Sequence, residues 1–139
     1  MDLDKRALSP DGRHEAALEW AGDVRFGPAY YRLYVHGRRI PRRLFGAELV
    51  WSPDSRYLLV QEWLTTSERA GPHTRLVVLD LLEGRECALA EVRQGFVEPV
   101  GVEGSLVRFR ESYYAPRKTI EREQDLPPAD RWVKRRGLR

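Results

Sequence analysis

The residues with chemistry to offer are few, and some of them recur. Glu19-Trp20 and Glu62-Trp63 set a carboxylate beside an indole at two places 43 positions apart. Paired carboxylates held at a suitable separation hydrolyse glycosides, one as acid and the other as base or nucleophile. Here the same neighbours recur with the glutamates, so the pair reads as a product of repetition at strand ends, and the chain reads as no enzyme. His14, His36 and His73 are the only histidines, and none stands at ligand spacing from another or from the single cysteine, Cys87. One cysteine forms neither an intrachain disulfide nor a thiolate zinc site. With no base beside it, Cys87 reads as a small core residue. Asp11 and Asp54 lie in turns; a calcium loop supplies several oxygens at alternating positions, whereas one acid per turn is what the turn itself uses. Gly-x-Ser-x-Gly elbows, glycine-rich phosphate loops and dinucleotide fingerprints do not occur. The expectation is no metal and no cofactor.

What remains is recognition chemistry. The net charge of +3 is unevenly spread. Asp130 to Arg139 holds five basic groups and one acid, so the rest of the chain is near neutral. A second concentration, Arg38, Arg39, Arg42 and Arg43, falls within eight residues from His36. Guanidinium groups bind carboxylates and phosphates bidentately, so these arginines and Arg135 are candidate partner-binding residues. Tyr113, Tyr114 and Trp132 join them as aromatics near basic groups, the combination that single-stranded nucleic acids exploit.

The elements that carry these side chains follow from an internal repeat. Ser9-Pro10-Asp11-Gly12-Arg13 aligns with Ser52-Pro53-Asp54-Ser55-Arg56, and Glu19-Trp20 with Glu62-Trp63, all at one offset. The offset survives a dissimilar loop, because Arg32-Leu33 and Val35 fall on Arg75-Leu76 and Val78. A third, weaker copy starts near residue 99 at an offset of 49 and places Glu111 opposite Glu62. Proline pre-sets φ in each turn, aspartate accepts from nearby backbone N–H groups, and glycine or serine takes the remaining dihedrals. Tyr57 to Trp63 and Thr74 to Leu81 read as strands, the former apolar enough to be buried on both faces. In the first copy strands are expected at about 14–20, 30–35 and 39–45. His36-Gly37 is the tight turn, and Pro41 marks the last of these as an edge strand.

Ser-Pro-Asp-Gly-Arg turns, a second strand of the Arg-Leu-Tyr-Val kind and a period near 43 resemble TolB-type, WD40-like β-propeller blades. The resemblance covers residues 7–92 well and extends loosely to about 124. It implies an all-β antiparallel meander and says nothing about activity, because propellers host many functions. Closed propellers use four to eight blades, and 139 residues suffice for two to three. The units are therefore expected to pack as an open or sandwich-like domain over residues 1–126, divided at about 7–46, 47–92 and 95–124. Residues 127–139 are expected to be a loosely held basic tail after Pro127-Pro128.

The resulting expectation is a non-catalytic protein-binding module acting on a partner with an acidic face, such as a bacterial toxin-neutralising immunity protein or an adaptor. The alternative is a nucleic-acid-binding domain using the arginine-rich hairpin and the basic tail. Pooling of blades between chains would make it a homo-oligomer. No apolar run approaches the roughly 20 residues needed to span a bilayer, and the charged start carries no secretory signal. The expected home is the cytoplasm, with no membrane partner.

Overall fold

The structure, a computed structural model, describes residues 3–25, 27–114 and 116–139. The two Ser-Pro-Asp turns are built alike, bond for bond. Ser9 Oγ donates to Asp11 Oδ1 at 2.6 Å, and Ser52 Oγ to Asp54 Oδ1 at 2.5 Å. The same aspartates accept from the backbone N–H of Arg13 and Arg56, and the same serines from His14 and Tyr57. Gly12 and Ser55 occupy the left-handed position, with φ of 74° and 66°. The turns also touch, because Asp11 N–H donates to Ser55 Oγ at 2.9 Å.

Each turn joins two strands of an antiparallel unit. The first unit contains β1 (Lys5–Leu8), β2 (Glu15–Asp23), β3 (Ala29–Val35) and the two-residue β4 (Arg38–Arg39). The second contains β5 (Leu44–Trp51), β6 (Tyr57–Trp63), β7 (His73–Asp80) and β8 (Arg85–Arg93). A single β3–β5 pair, Tyr31 with Phe45, makes the two units one continuous sheet. The third unit is a separate sheet of β9 (Gly95–Glu103), β10 (Leu106–Tyr114) and β11 (Arg117–Asp125). The fold is an antiparallel β meander that closes into neither a barrel nor a ring.

Alternation along β6 and β7 divides the interior into two cores. Leu58, Val60, Val77 and Leu79 meet Ala16, Leu18, Leu33 and Val35 of the first unit. Leu59, Leu76 and Val78 turn the opposite way and meet Val97, Val102, Val107 and Phe109 of the third. A strand buried on both faces reads as a near-continuous apolar run, as Tyr57-Leu58-Leu59-Val60 does. Cys87 lies in the second core, and burial pushes its thiol up to about 12. Trp51 is half-buried against the first core and stacks on His14.

Three departures from the expected elements have physical causes. The strand expected over 39–45 breaks at Pro41-Arg42, where proline offers no N–H and Arg42 takes φ of 61°. Leu44 instead opens β5. The third unit turns on only two residues, Gly104 and Ser105, since Leu106 pairs with Glu103. The segment after Pro128 is not loosely held. A 3-10 turn (Ala129–Arg131) leads into β12 (Val133–Lys134), which pairs with β8, and Arg135 N–H donates to the Gly84 carbonyl. Leu138, 3 % exposed, then plugs the end of the first core. Its few apolar residues are enough because Trp132 and Leu138 each meet a core, while Val133 stays exposed.

Leu59 is fully buried, so Leu59→Ala is expected to cost about 2–5 kcal/mol in urea unfolding. Deleting 133–139 should also lower the melting temperature, since it uncaps the first core. An unchanged melt for the truncated chain would show that Leu138 holds nothing in place.

Candidate partner-binding surface

The carboxylates of the repeat are engaged in ion pairs. In each unit the recurring glutamate meets an arginine of the next strand: Glu19 with Arg32 at 3.5 Å, Glu62 with Arg75 at 2.6 Å, and Glu111 with Arg122 at 3.1 Å. Glu62 also takes Arg43, whose Nε donates at 2.7 Å while its Nη1 donates to both oxygens of Glu86 at 2.8 and 2.9 Å. Arg135 reaches the same Glu86 at 3.1 Å. Burial alone would raise the Glu62 pKa, but the Arg43 and Arg75 guanidiniums outweigh it and hold the carboxyl below its ordinary range. A carboxylate kept ionised by two guanidiniums is a poor proton donor. The recurring pairs tie neighbouring strands within each unit, and Arg43 and Arg135 fasten the flanking segments to the second.

Sequence groups Arg43 with its neighbours as a partner-binding residue, yet its side chain is only 16 % exposed and belongs to this buried network. The other arginines face outward. Arg38, Arg39 and Arg42 are exposed, and among the described residues they form no ion pair, nor do Arg136 and Arg139. The type I′ turn at His36-Gly37, with φ of 52° and 76°, sets Arg38 at one pole of the sheet. There the C-terminal segment crosses it, and Gly137 lies close against the Arg38 side chain. The two basic segments, nearly a hundred residues apart in sequence, thus meet. They line an open cleft of 440 Å³ walled by His36, Arg38, Arg135, Arg136, Gly137 and Arg139. The cleft has no acid in its wall. Glu86 lines the adjoining hollow and is already paired with Arg43 and Arg135.

The aromatic candidates do not join this cleft. Trp132 packs between Tyr57 and the Arg85 guanidinium, and its Nε1 donates to the Pro127 carbonyl at 3.0 Å. Tyr113 lies under Lys118 and donates to Glu111. Tyr114, 59 % exposed, ends a row of rings at the opposite pole, Tyr30–Trp63–Phe96–Tyr114, with centroids 5.2, 5.6 and 5.8 Å apart. The last three line a cavity of 360 Å³ between the loops before β3 and β7, with Pro72 and the hydroxyl-bearing Thr65, Thr66 and Ser67. Sequence reasoning finds Arg136 only as part of the basic tail and does not find Trp63, Phe96, Pro72 or Arg139 as surface-site residues.

The histidines are placed by turns. His36 Nε2 sits 3.2 Å from His14 Nδ1, and burial, reinforced by His36, lowers the His14 pKa. His73 Nε2 is 3.1 Å from Glu91 but out of line for a hydrogen bond. Among the described residues, no three His, Cys, Asp or Glu side chains converge as metal ligands. Comparison with protein-family models and with curated proteins returns no match.

Asp80 is fully buried between Arg56 and Arg85 and accepts from the N–H groups of Leu82 and Glu83. Burial alone would raise its pKa, but the guanidiniums and N–H donors more than offset this, and the net shift is downward. Glu62 and Asp80 both titrate lower folded than unfolded. Their stabilisation is therefore complete above the unfolded values of 4.5 and 3.8 and is lost as pH falls towards the folded ones. Urea midpoints should fall from about pH 5 downward, and Asp80→Asn should be less stable at neutral pH with a flatter acid dependence. A variant as acid-sensitive as the parent would remove Asp80 from this account.

Proposed function

We propose that this chain is a non-catalytic protein-binding module that holds an acidic face of its partner in the arginine cleft. The observation that carries the reading is the convergence of Arg38 with Arg136 and Arg139, unpaired, in a cleft with no acid in its wall. Gathering like charges is unfavourable in the free protein, so a bound polyanion recovers that energy. Bidentate guanidinium–carboxylate bonds supply the geometry. The engagement of Glu19 by Arg32 and of Glu62 by Arg43 and Arg75 argues against hydrolysis at the repeated glutamates. The resemblance to WD40-like, TolB-type blades enters here as a scaffold: the like bonding of the two Ser-Pro-Asp turns supports it.

Nucleic-acid binding through the same cleft is the weaker reading, because Trp132 and Tyr113 are packed into the body and Tyr114 lies at the other pole. Among the described residues the cleft wall holds no Trp, Tyr or Phe to stack on a base, and its one ring is the imidazole of His36. Fluorescence anisotropy with poly-glutamate and with single-stranded and duplex oligonucleotides, at about 50 mM salt, separates the two. Poly-glutamate is expected to bind, and Arg38→Glu with Arg136→Glu to abolish binding without changing the melting temperature. Binding of oligonucleotides in preference to poly-glutamate would assign the cleft to nucleic acid. No binding of either would sink the proposal.

A further inference from the structure

The arginine cleft is one end of a longer groove. Through Arg38, Arg135 and Arg136 it passes into the hollow beside Leu138. That hollow shares Arg39 and Ile40 with a groove of 380 Å³ along the first unit. Arg42, Arg43 and Leu44 carry the groove onward to a further one, which shares Trp63, Thr65 and Thr66 with the aromatic cavity. Each hollow shares walls with the next, so the five lie in a row from one pole to the other. The cause is the break at Pro41-Arg42: β4 stops after two residues, and the edge it would have covered stays open.

Chemistry changes along the groove in one direction. The first part is lined by unpaired guanidiniums: Arg38, Arg39, Arg42 and Arg136. Its two acids, Glu86 and Glu62, are consumed by Arg43, Arg75 and Arg135. The last part has no such excess of cation. The rings of Trp63, Phe96 and Tyr114 wall it with Pro72; Arg25 and Glu68 also line it, and Glu68 accepts from the Arg25 backbone N–H. A cavity of this size and lining suits one large apolar side chain. The path runs along β3, seven residues long, which at about 3.3 Å per residue gives about 23 Å.

We propose that the groove binds an extended, acidic peptide segment of about eight residues, whose terminal large apolar side chain enters the aromatic cavity. Carboxylates along the segment pair with Arg38, Arg39 and Arg42 while the anchor contacts Trp63, Phe96 and Tyr114. The arginines hold a polyanion in place, and the cavity selects which one. This proposal rests on the acidic-partner reading and adds the register and the anchor to it.

The test uses fluorescein-labelled octapeptides of alternating Asp and Glu with Phe at one terminus, made for each terminus, and the same peptides with Ala in place of Phe. At least one Phe peptide is expected to bind about tenfold more tightly than its Ala counterpart. Tyr114→Ala, at a largely exposed position, should erase that advantage and leave the affinity for the Ala peptide unchanged. Arg42→Glu should weaken both peptides. Equal binding of Phe and Ala peptides by the parent overturns the groove proposal but leaves an acidic partner in the cleft. So does a Tyr114→Ala variant that keeps the Phe preference. Failure of every peptide to bind, together with failure of poly-glutamate, removes the underlying reading as well.

Discussion

The hairpin β6–β7 has no solvent face, and the rest of the molecule is arranged to supply it with two covers. Neighbouring residues on one strand point to opposite sides, so Leu58 and Leu59 make different cores from adjacent positions. An apolar two-sided sheet is unstable alone in water. The first unit covers one side and the third covers the other. The repeat supplies both covers by the same rule. The positions of Leu58, Val60 and Glu62 face backward to the preceding unit, and their counterparts Val107, Phe109 and Glu111 in the third unit do likewise. The units stack head to tail.

A head-to-tail stack has no natural end, and this one is ended by polarity. On the first unit the backward positions are Glu15, Ala17 and Glu19, with Glu15 pairing to Arg6 and Glu19 to Arg32. On the third unit the forward positions include Arg108 and Arg110, which pair with Glu123, Glu98 and Glu121. Polar outer faces on terminal repeats are how linear arrays keep their ends in solution. The acids and arginines of the near-neutral body therefore have a structural assignment, and only the arginines without acidic partners are left over.

Much of the fold was legible because its signals are local. Proline, aspartate and a left-handed fourth residue specify a turn from five consecutive residues, and Tyr57 to Trp63 announces two-sided burial by composition. The groove was not legible because it depends on contacts distant in sequence. Nothing near Arg43 indicates that Glu62 and Glu86 will claim it while Arg42 stays free. Nothing near Leu138 shows that an open core end awaits it, so the segment reads as a tail. Trp63 signalled the end of a strand, but its place beside Phe96 and Tyr114 depends on the third unit, whose turn had lost the Ser-Pro-Asp signature.

The contact between Asp11 and Ser55 has its own consequence. The two turns differ at their fourth residue, glycine in one and serine in the other, and that difference is where they touch. A non-glycine residue in the left-handed region is disfavoured by roughly 1 kcal/mol, yet Ser55 is kept there, and its hydroxyl accepts the N–H of the neighbouring turn. Restoring perfect identity with glycine would relax the backbone and cut the stitch between the duplicates. Their asymmetry is thus cohesive, and it fixes which copy comes first: exchanging the two would leave a hydroxyl facing outward and a bare glycine at the seam.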